Sequence, residues 1–271
     1  MEEKVLVLDI DGTLTNSKKE ISDKTRRAIW NTLEHGHKVI LASGRPTPGM
    51  RRYEEELELA KNGGYLLSFN GARIVDCRTG EVVYQRTIPL SIIPSLYAFA
   101  RDNGCGLVTY FGDRIISAFE PDEYVELESR INNMEIKVVN NFKSYVDFDI
   151  NKCLLTAPVD KAPEFEKQLQ EKYGDQVSIY RSEPFFIEVM PQNVDKATSL
   201  DRMLESVGLT RDNAICCGDG FNDISMIKYA GLGVAMGNAQ PAVKEVADLI
   251  TGTNDEDGLV PVIDDYILNQ K

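Results

Sequence analysis

Val5, Leu6, Val7 and Leu8 form an unbroken apolar run that stops at two carboxylates, Asp9 and Asp11, just ahead of a Gly-Thr turn. A strand without polar alternation has no solvated face, so it belongs in the middle of a parallel sheet covered by helices. Similar runs recur in KVILASGR, YLLSFNGA, AICCGD and LGVAMG, with a short one in ADLIT. Helical patterns lie between them, around Lys24 to Glu34, from Lys196 to Val207 and from Asp223 to Ala230. This βαβα order predicts an α/β fold with a Rossmann-like doubly wound parallel sheet. The texture changes between about Val82 and Glu188. There, helical stretches such as IIPSLYAFARD and APEFEKQLQEKY mix with strand-like RIISAF, KCLLTA, VSIYRS and PFFIEV, and no Asp-Gly or Ser-Gly closes a strand. The expected organisation is a discontinuous core, 1–81 and 189–271, with an inserted α+β cap domain, 82–188, joined by two crossings that form a hinge.

Two carboxylates at the end of a buried strand oppose each other and resist desolvation, so a cation or hydrogen bonds must compensate. In open α/β sheets the ligand crevice lies at the carboxyl ends of the strands. Asp9 and Asp11 end the first strand, Ser43, Gly44 and Arg45 the second, Asn70 and Gly71 the third, and Asp219, Asn222 and Asp223 the fourth. If these strands are neighbours, Asp9, Asp11, Asp219 and Asp223 surround a small volume of hard oxygen ligands suited to Mg²⁺. Lys196 opens a predicted helix, where the macrodipole disfavours a cation, and such a broken local rule points to function. Its ammonium, the Ser43 hydroxyl and the backbone N–H groups near Gly44 and Gly12 would suit a phosphate. Taken singly, each group has an ordinary reading: Asp-Gly after a strand is commonly a turn, and a lysine on a helix is commonly solvated. Four such groups in this order exceed what turns require.

The 271 residues carry a net charge of −13, with no cluster of Lys and Arg of the kind that binds phosphate backbones. No nucleic-acid partner is expected, and no membrane partner, because no apolar stretch approaches the roughly 20 residues needed to span a bilayer. The acidic N-terminus runs directly into a strand rather than a signal peptide, so a cytoplasmic protein is expected. Five cysteines without CxxC suggest neither disulfides nor zinc, and Cys216 and Cys217 read as buried thiols. His35 and His37 flank Gly36 at a predicted helix end and are not read as catalytic. Tyr110, Phe111, Phe185 and Phe186 read as packing rather than a substrate box.

DIDGTL, ASGR, DKA and GDGFNDISM together resemble the four motifs of the haloacid dehalogenase superfamily, and the large insertion resembles its Cof-type phosphatases. The likeness extends to FNGA and to the closing TNDEDGLVPVI; Ala197 and Asn193 stand where relatives often have glycine. The resemblance implies Asp9 as nucleophile and Asp11 as acid/base. Ser43, Gly44, Lys196 and Asn222 would hold phosphate, Arg45 and Asn70 would touch substrate, and Asp9, Asp11, Asp219 and Asp223 would form the metal site. It also implies a Mg²⁺-dependent phosphatase acting through an aspartyl-phosphate on a small phosphorylated metabolite, such as a sugar phosphate or phosphorylated cofactor. The insertion would serve as a lid, and the protein would be a monomer or weak dimer. For proton donation to the leaving oxygen, Asp11 is expected to titrate well above the usual carboxylate value of about 3.9. Two rivals use overlapping residues: a phosphomutase sharing the aspartyl-phosphate, and a sugar-phosphate sensor without turnover. A signalling receiver domain would be about half as long, with its acceptor on a later strand.

Overall fold

The computed structural model describes residues 3–269. The chain first lays down strands β1 (Val5–Leu8), β2 (Lys38–Ala42), β3 (Tyr65–Ser68), β4 (Arg73–Asp76) and β5 (Val82–Gln85). It continues through β6 (Gly106–Phe111), β7 (Arg114–Ser117), β8 (Glu135–Val138), β9 (Cys153–Thr156), β10 (Val177–Glu183) and β11 (Phe186–Pro191). It then closes with β12 (Ala214–Gly218), β13 (Leu232–Ala235) and β14 (Leu249–Ile250). Two compact units result, Met1–Tyr84 with Asp195–Lys271, and Gln85–Val194. Their boundaries fall a few residues beyond 81 and 188, because β5 joins the first sheet and β11 runs on to Pro191 in the second.

The first unit holds an eight-stranded sheet in the order β14-β13-β12-β1-β2-β3-β4-β5. From β14 to β3 every pairing is parallel, while β4 runs antiparallel to β3. β4 and β5 extend the sheet beyond the apolar runs that end in polar residues. All four residues of β1 are fully buried, as an unalternating apolar run requires. The helix Asp23–Glu34 follows β1. Ser22 caps it by accepting from the Thr25 N–H, and Ala28, Ile29 and Leu33 line its buried side at helical spacing. Gly36, at φ +84°, turns the chain into β2.

β1 sits between β2 and β12 in register, with Leu8 beside both Leu41 and Cys217. The residues just past these pairs, Asp9, Ser43 and Asp219, therefore emerge along one edge, where the strand order reverses. The five cysteines are free and buried.

The second unit is a six-stranded sheet, β10-β11-β9-β6-β7-β8, antiparallel except for the β7–β8 pair. Alternate residues Leu107, Cys153, Leu155, Ile187 and Val189 belong to an apolar cluster with the helices Ile93–Asn103 and Ala162–Tyr173, through Leu96, Phe165 and Leu169. Tyr110 and Phe186 are buried, as expected of packing residues. Phe111 is 52% exposed against Phe148, and Phe185 stacks on Tyr124. No helix among the described residues is long and apolar enough to cross a membrane.

Candidate active site

Asp9 is fixed by its place in the sheet: its N–H donates to the Cys217 carbonyl at 3.1 Å, continuing the β1–β12 ladder by one step. Asp219 lies just past β12, and Asp223 follows it in the short turn Phe221–Asp223. One oxygen from each of Asp9, Asp219 and Asp223 falls within 4.8 Å of the others. Gly12 at φ +88° permits the close approach, since a Cβ there would collide with the Asp219 carboxylate. Thr13 Oγ1 donates to Asp219 Oδ1 at 2.8 Å.

Lys196 enters this cluster from the first turn of the helix Lys196–Ser206, which Asp195 caps through the Thr198 N–H at 2.9 Å. It is 1% exposed, with Nζ donating to Asp9 Oδ1 at 2.7 Å and to Asp223 Oδ1 at 2.6 Å. Asp223 Oδ2 accepts from the N–H groups of Asp219 and Gly220 at 2.9 and 2.8 Å, so that carboxylate is fully engaged. Asp9 Oδ2 and Asp219 Oδ2 accept no hydrogen bond among the described residues.

Burial pushes the Asp9 carboxyl up to about 8, with Asp223 adding to the effect and Lys196 opposing it. Burial likewise pushes Asp219 up to about 6, against the Thr13 hydrogen bond. Burial works against the Lys196 charge, but Asp223 and Asp9 more than offset it and hold the ammonium above its usual range. Three carboxylates thus face one ammonium. A divalent cation would bring the group to neutrality, and the free oxygens of Asp9 and Asp219 are hard donors suited to Mg²⁺.

Asp11 departs from expectation. Its side chain is not in the three-acid cluster but is gripped by Arg45 and Lys19. Arg45 Nε and Nη2 donate at 2.7 and 2.9 Å, and Lys19 Nζ donates at 3.0 Å. Burial would raise its carboxyl, yet the Arg45 and Lys19 contacts prevail and bring it to about 2, the reverse of the raised value anticipated for a proton donor. Nothing local in NSKKE marks Lys19 as a partner of Asp11. In the fold Lys19 takes φ +62°, and its side chain reaches Asp11.

The remaining residues form a connected rim. The Ser43 N–H donates to the Leu67 carbonyl at 2.9 Å, and Ser43 Oγ accepts from the Arg45 N–H at 3.2 Å. The Asn70 N–H donates to the Ser43 carbonyl at 2.9 Å, and Asn222 Nδ2 donates to Asn70 Oδ1 at 3.0 Å. A Cβ on Gly44 would press on the Asn70 amide. Ser43, Gly44, Arg45, Asn70 and Asn222 are therefore joined to one another, and Arg45 joins them to Asp11. Asn193 adopts φ +56°, which Asn tolerates. A separate cavity of about 350 Å³, lined by Lys19, Arg26, Arg52, Tyr53 and neighbours, holds none of the clustered acids.

Comparison with known proteins gives the same direction. The haloacid dehalogenase-like hydrolase family matches residues 6–263. A haloacid dehalogenase-like hydrolase from Bacteroides thetaiotaomicron, known by crystal structure, matches with TM-score 0.94 at 44% identity, over 97% of this chain and 99% of that one. A sugar phosphatase of subclass IIB matches with TM-score 0.83 at 27% identity, over 97% and 98% of the two chains. The 5-amino-6-(5-phospho-D-ribitylamino)uracil phosphatase YcsE of Bacillus subtilis (strain 168) is 31% identical over 265 residues, 98% of this chain and 96% of that protein. With DIDGTL, ASGR and GDGFND at the carboxyl ends of one Rossmann-like sheet and the DKA lysine reaching the same acids from a helix start, the chain belongs to the haloacid dehalogenase-like hydrolases and is an enzyme of the phosphoric monoester hydrolase class.

Proposed function

We propose that the first unit is a Mg²⁺-dependent phosphatase that removes phosphate from small metabolites through an aspartyl-phosphate on Asp9. The observation that carries this reading is the buried surplus of acid around Lys196, with one oxygen of Asp9 left unbonded. In-line attack by Asp9 on phosphorus forms an acyl-phosphate bond and releases the substrate oxygen, which takes a proton from Asp11. Water activated by Asp11 then cleaves the acyl phosphate and regenerates Asp9. Bound Mg²⁺ would be held by Asp9 and Asp219, with Asp223 behind them, and would supply charge neutralisation for the transferring group. Lys196 adds a fixed positive charge, while Ser43, Gly44 and Asn222 offer polar contacts to phosphate oxygens.

Asp11 needs two protonation states, and its grip by Arg45 and Lys19 favours only the ionised one while lowering its basicity. Donation to the leaving oxygen therefore requires those contacts to loosen when substrate arrives. Arg45 then becomes available to the substrate, as the resemblance implies. Sugar phosphates or phosphorylated cofactors are the proposed substrate class, by analogy with the sugar phosphatase and the ribityl-uracil phosphatase among the relatives. A cytoplasmic location is part of the same proposal. The test is phosphate release across a panel of phosphorylated metabolites, with and without Mg²⁺. Metal-dependent release of phosphate supports hydrolysis. An isomeric phosphate ester as product would indicate a mutase, and tight binding without any product would indicate a sensor.

A further inference from the structure

The closing segment TNDEDG has no part in the chemistry above, yet it is tied to the loop that carries Asp11. Asn238 Nδ2 donates to the Gly12 carbonyl at 2.8 Å, while Asn238 Oδ1 accepts from the Asn254 N–H at 2.9 Å. Asn254 Nδ2 donates to the Thr15 carbonyl at 2.8 Å. Next along the chain, Asp255 Oδ1 accepts from the Ser17 N–H at 2.8 Å, and Asp257 accepts from the Ser22 hydroxyl. Thr15, Ser17 and Ser22 of the Gly12–Ser22 loop are thus held by the closing segment, and Gly12 by Asn238, which that segment in turn holds. The loop is irregular, so its carbonyls depend on such side-chain donors.

The anchored positions bracket the site. Gly12 adjoins Asp11, Thr13 bonds Asp219, and Asp11 bridges to Thr15. Lys19, on the same loop, reaches Asp11. The anchoring segment is itself rigidly built. Thr253 and Glu256 cap each other, and Gly252 and Gly258 approach so closely that a Cβ on Gly258 would strike the Gly252 carbonyl.

We propose that Asn254, acting with Asn238, is a positioning residue that fixes Asp11 relative to Asp9. The inference rests on the reading of Asp11 as the proton-transfer group. An amide is required at position 254, because a carboxylate of the same shape would oppose the Thr15 carbonyl instead of donating to it.

The isosteric variant Asn254→Asp and the truncation Asn254→Ala test this against an alkyl phosphate monoester and against p-nitrophenyl phosphate, whose leaving group needs little protonation. A misplaced proton donor lowers kcat on the alkyl ester by about tenfold to a hundredfold, as lost supporting contacts do. The expected loss on p-nitrophenyl phosphate is several-fold smaller, with KM nearly unchanged on both. In an Asp11→Asn background the Asn254 substitutions should cost nothing further, since the group they position is already gone. Hydrogen exchange should rise over Gly12–Ser22 while β12 keeps its protection, which also establishes that the variants fold. Equal losses on both esters, losses that add to that of Asp11→Asn, or unchanged exchange over Gly12–Ser22 would overturn the positioning role alone. A wild-type enzyme that releases phosphate from no ester would overturn the functional reading, and the positioning role with it.

Discussion

Each unit buries a lysine against carboxylates, and the two arrangements differ in what is left over. In the second unit Lys152 Nζ lies 3.4 Å from Glu188 Oε1 and 5.3 Å from the Tyr110 ring centroid. The Tyr180 hydroxyl donates to Glu188 Oε2 at 3.3 Å, and the Tyr110 hydroxyl donates to Glu128 Oε1 at 2.6 Å. Every one of those carboxylates has a hydroxyl as partner. In the first unit three carboxylates share one ammonium, and two of their oxygens lack a hydrogen bond among the described residues. Buried charge by itself therefore marks nothing, since a pair whose charges and hydrogen bonds are satisfied leaves nothing over for a ligand. Charge left in excess at the strand ends marks the place where a cation and a phosphate would complete the set.

That contrast is sharpest in turnover. Asp9→Asn removes the nucleophile and should lower kcat by at least about 10⁴-fold, with an unchanged circular dichroism spectrum. Lys196→Met comes next, with an expected loss of roughly 10²–10³-fold for one fixed charge at a developing anion. It also leaves the acids without their ammonium, at a cost of about 3 kcal/mol or more in the metal-free protein. Thermal melts with and without Mg²⁺ should show that the ion recovers much of this. Lys152→Met, by contrast, should destabilise the protein by a similar amount but leave kcat within about threefold. A large fall in kcat for Lys152→Met would break the comparison.

The same contrast carries a pH dependence. Burial holds Asp9 at about 8 and Asp219 at about 6, against 3.8 for the unperturbed group. Between these values the folded chain binds more protons than the unfolded one, so metal-free stability should fall as pH rises from about 4 towards 8. Lys196 stays charged throughout that window. Mg²⁺ favours the ionised carboxylates and should flatten the trend. Asp11 has the opposite sign, because its carboxyl is held at about 2, and its contribution is lost as pH falls below about 4. Melts at pH 5 and pH 8, each with and without Mg²⁺, check the first sign, and metal-free melts between about pH 4 and about pH 2 check the second.

Much of the first unit could be read directly from its residues. β1, β2, β3, β12 and β13 are continuous apolar runs with polar termini, and a parallel sheet brings those termini to one edge whatever the intervening loops do. Asp9, Asp219 and Asp223 followed from that rule, and Lys196 from a cation standing at the start of a helix. What could not be read depends on loops folding back. Lys19 reaches Asp11 only because Asn16 closes a turn that sets Lys19 at positive φ, and nothing local in NSKKE announces it. Asn238 and Asn254 act on carbonyls more than two hundred residues earlier in the chain. In the second unit GLVTYF and EIKV were not recognised as strands. The first mixes Thr and Tyr into an apolar run, and the second is a short edge strand whose Glu135 and Val138 are exposed.

The central claim is that Asp9 itself carries the phosphoryl group during turnover. It is tested most directly by acid-quenching the Asp11→Asn variant within the first turnover, with Mg²⁺ and p-nitrophenyl phosphate, whose leaving group needs little protonation from Asp11, and mapping the phosphoryl adduct by peptide mass spectrometry. The expected result is an adduct on Asp9, absent when Mg²⁺ is withheld and absent from Asp9→Asn. Phosphate release by the wild-type enzyme with no adduct on Asp9 in the quenched variant, or an adduct on another residue, would contradict the account.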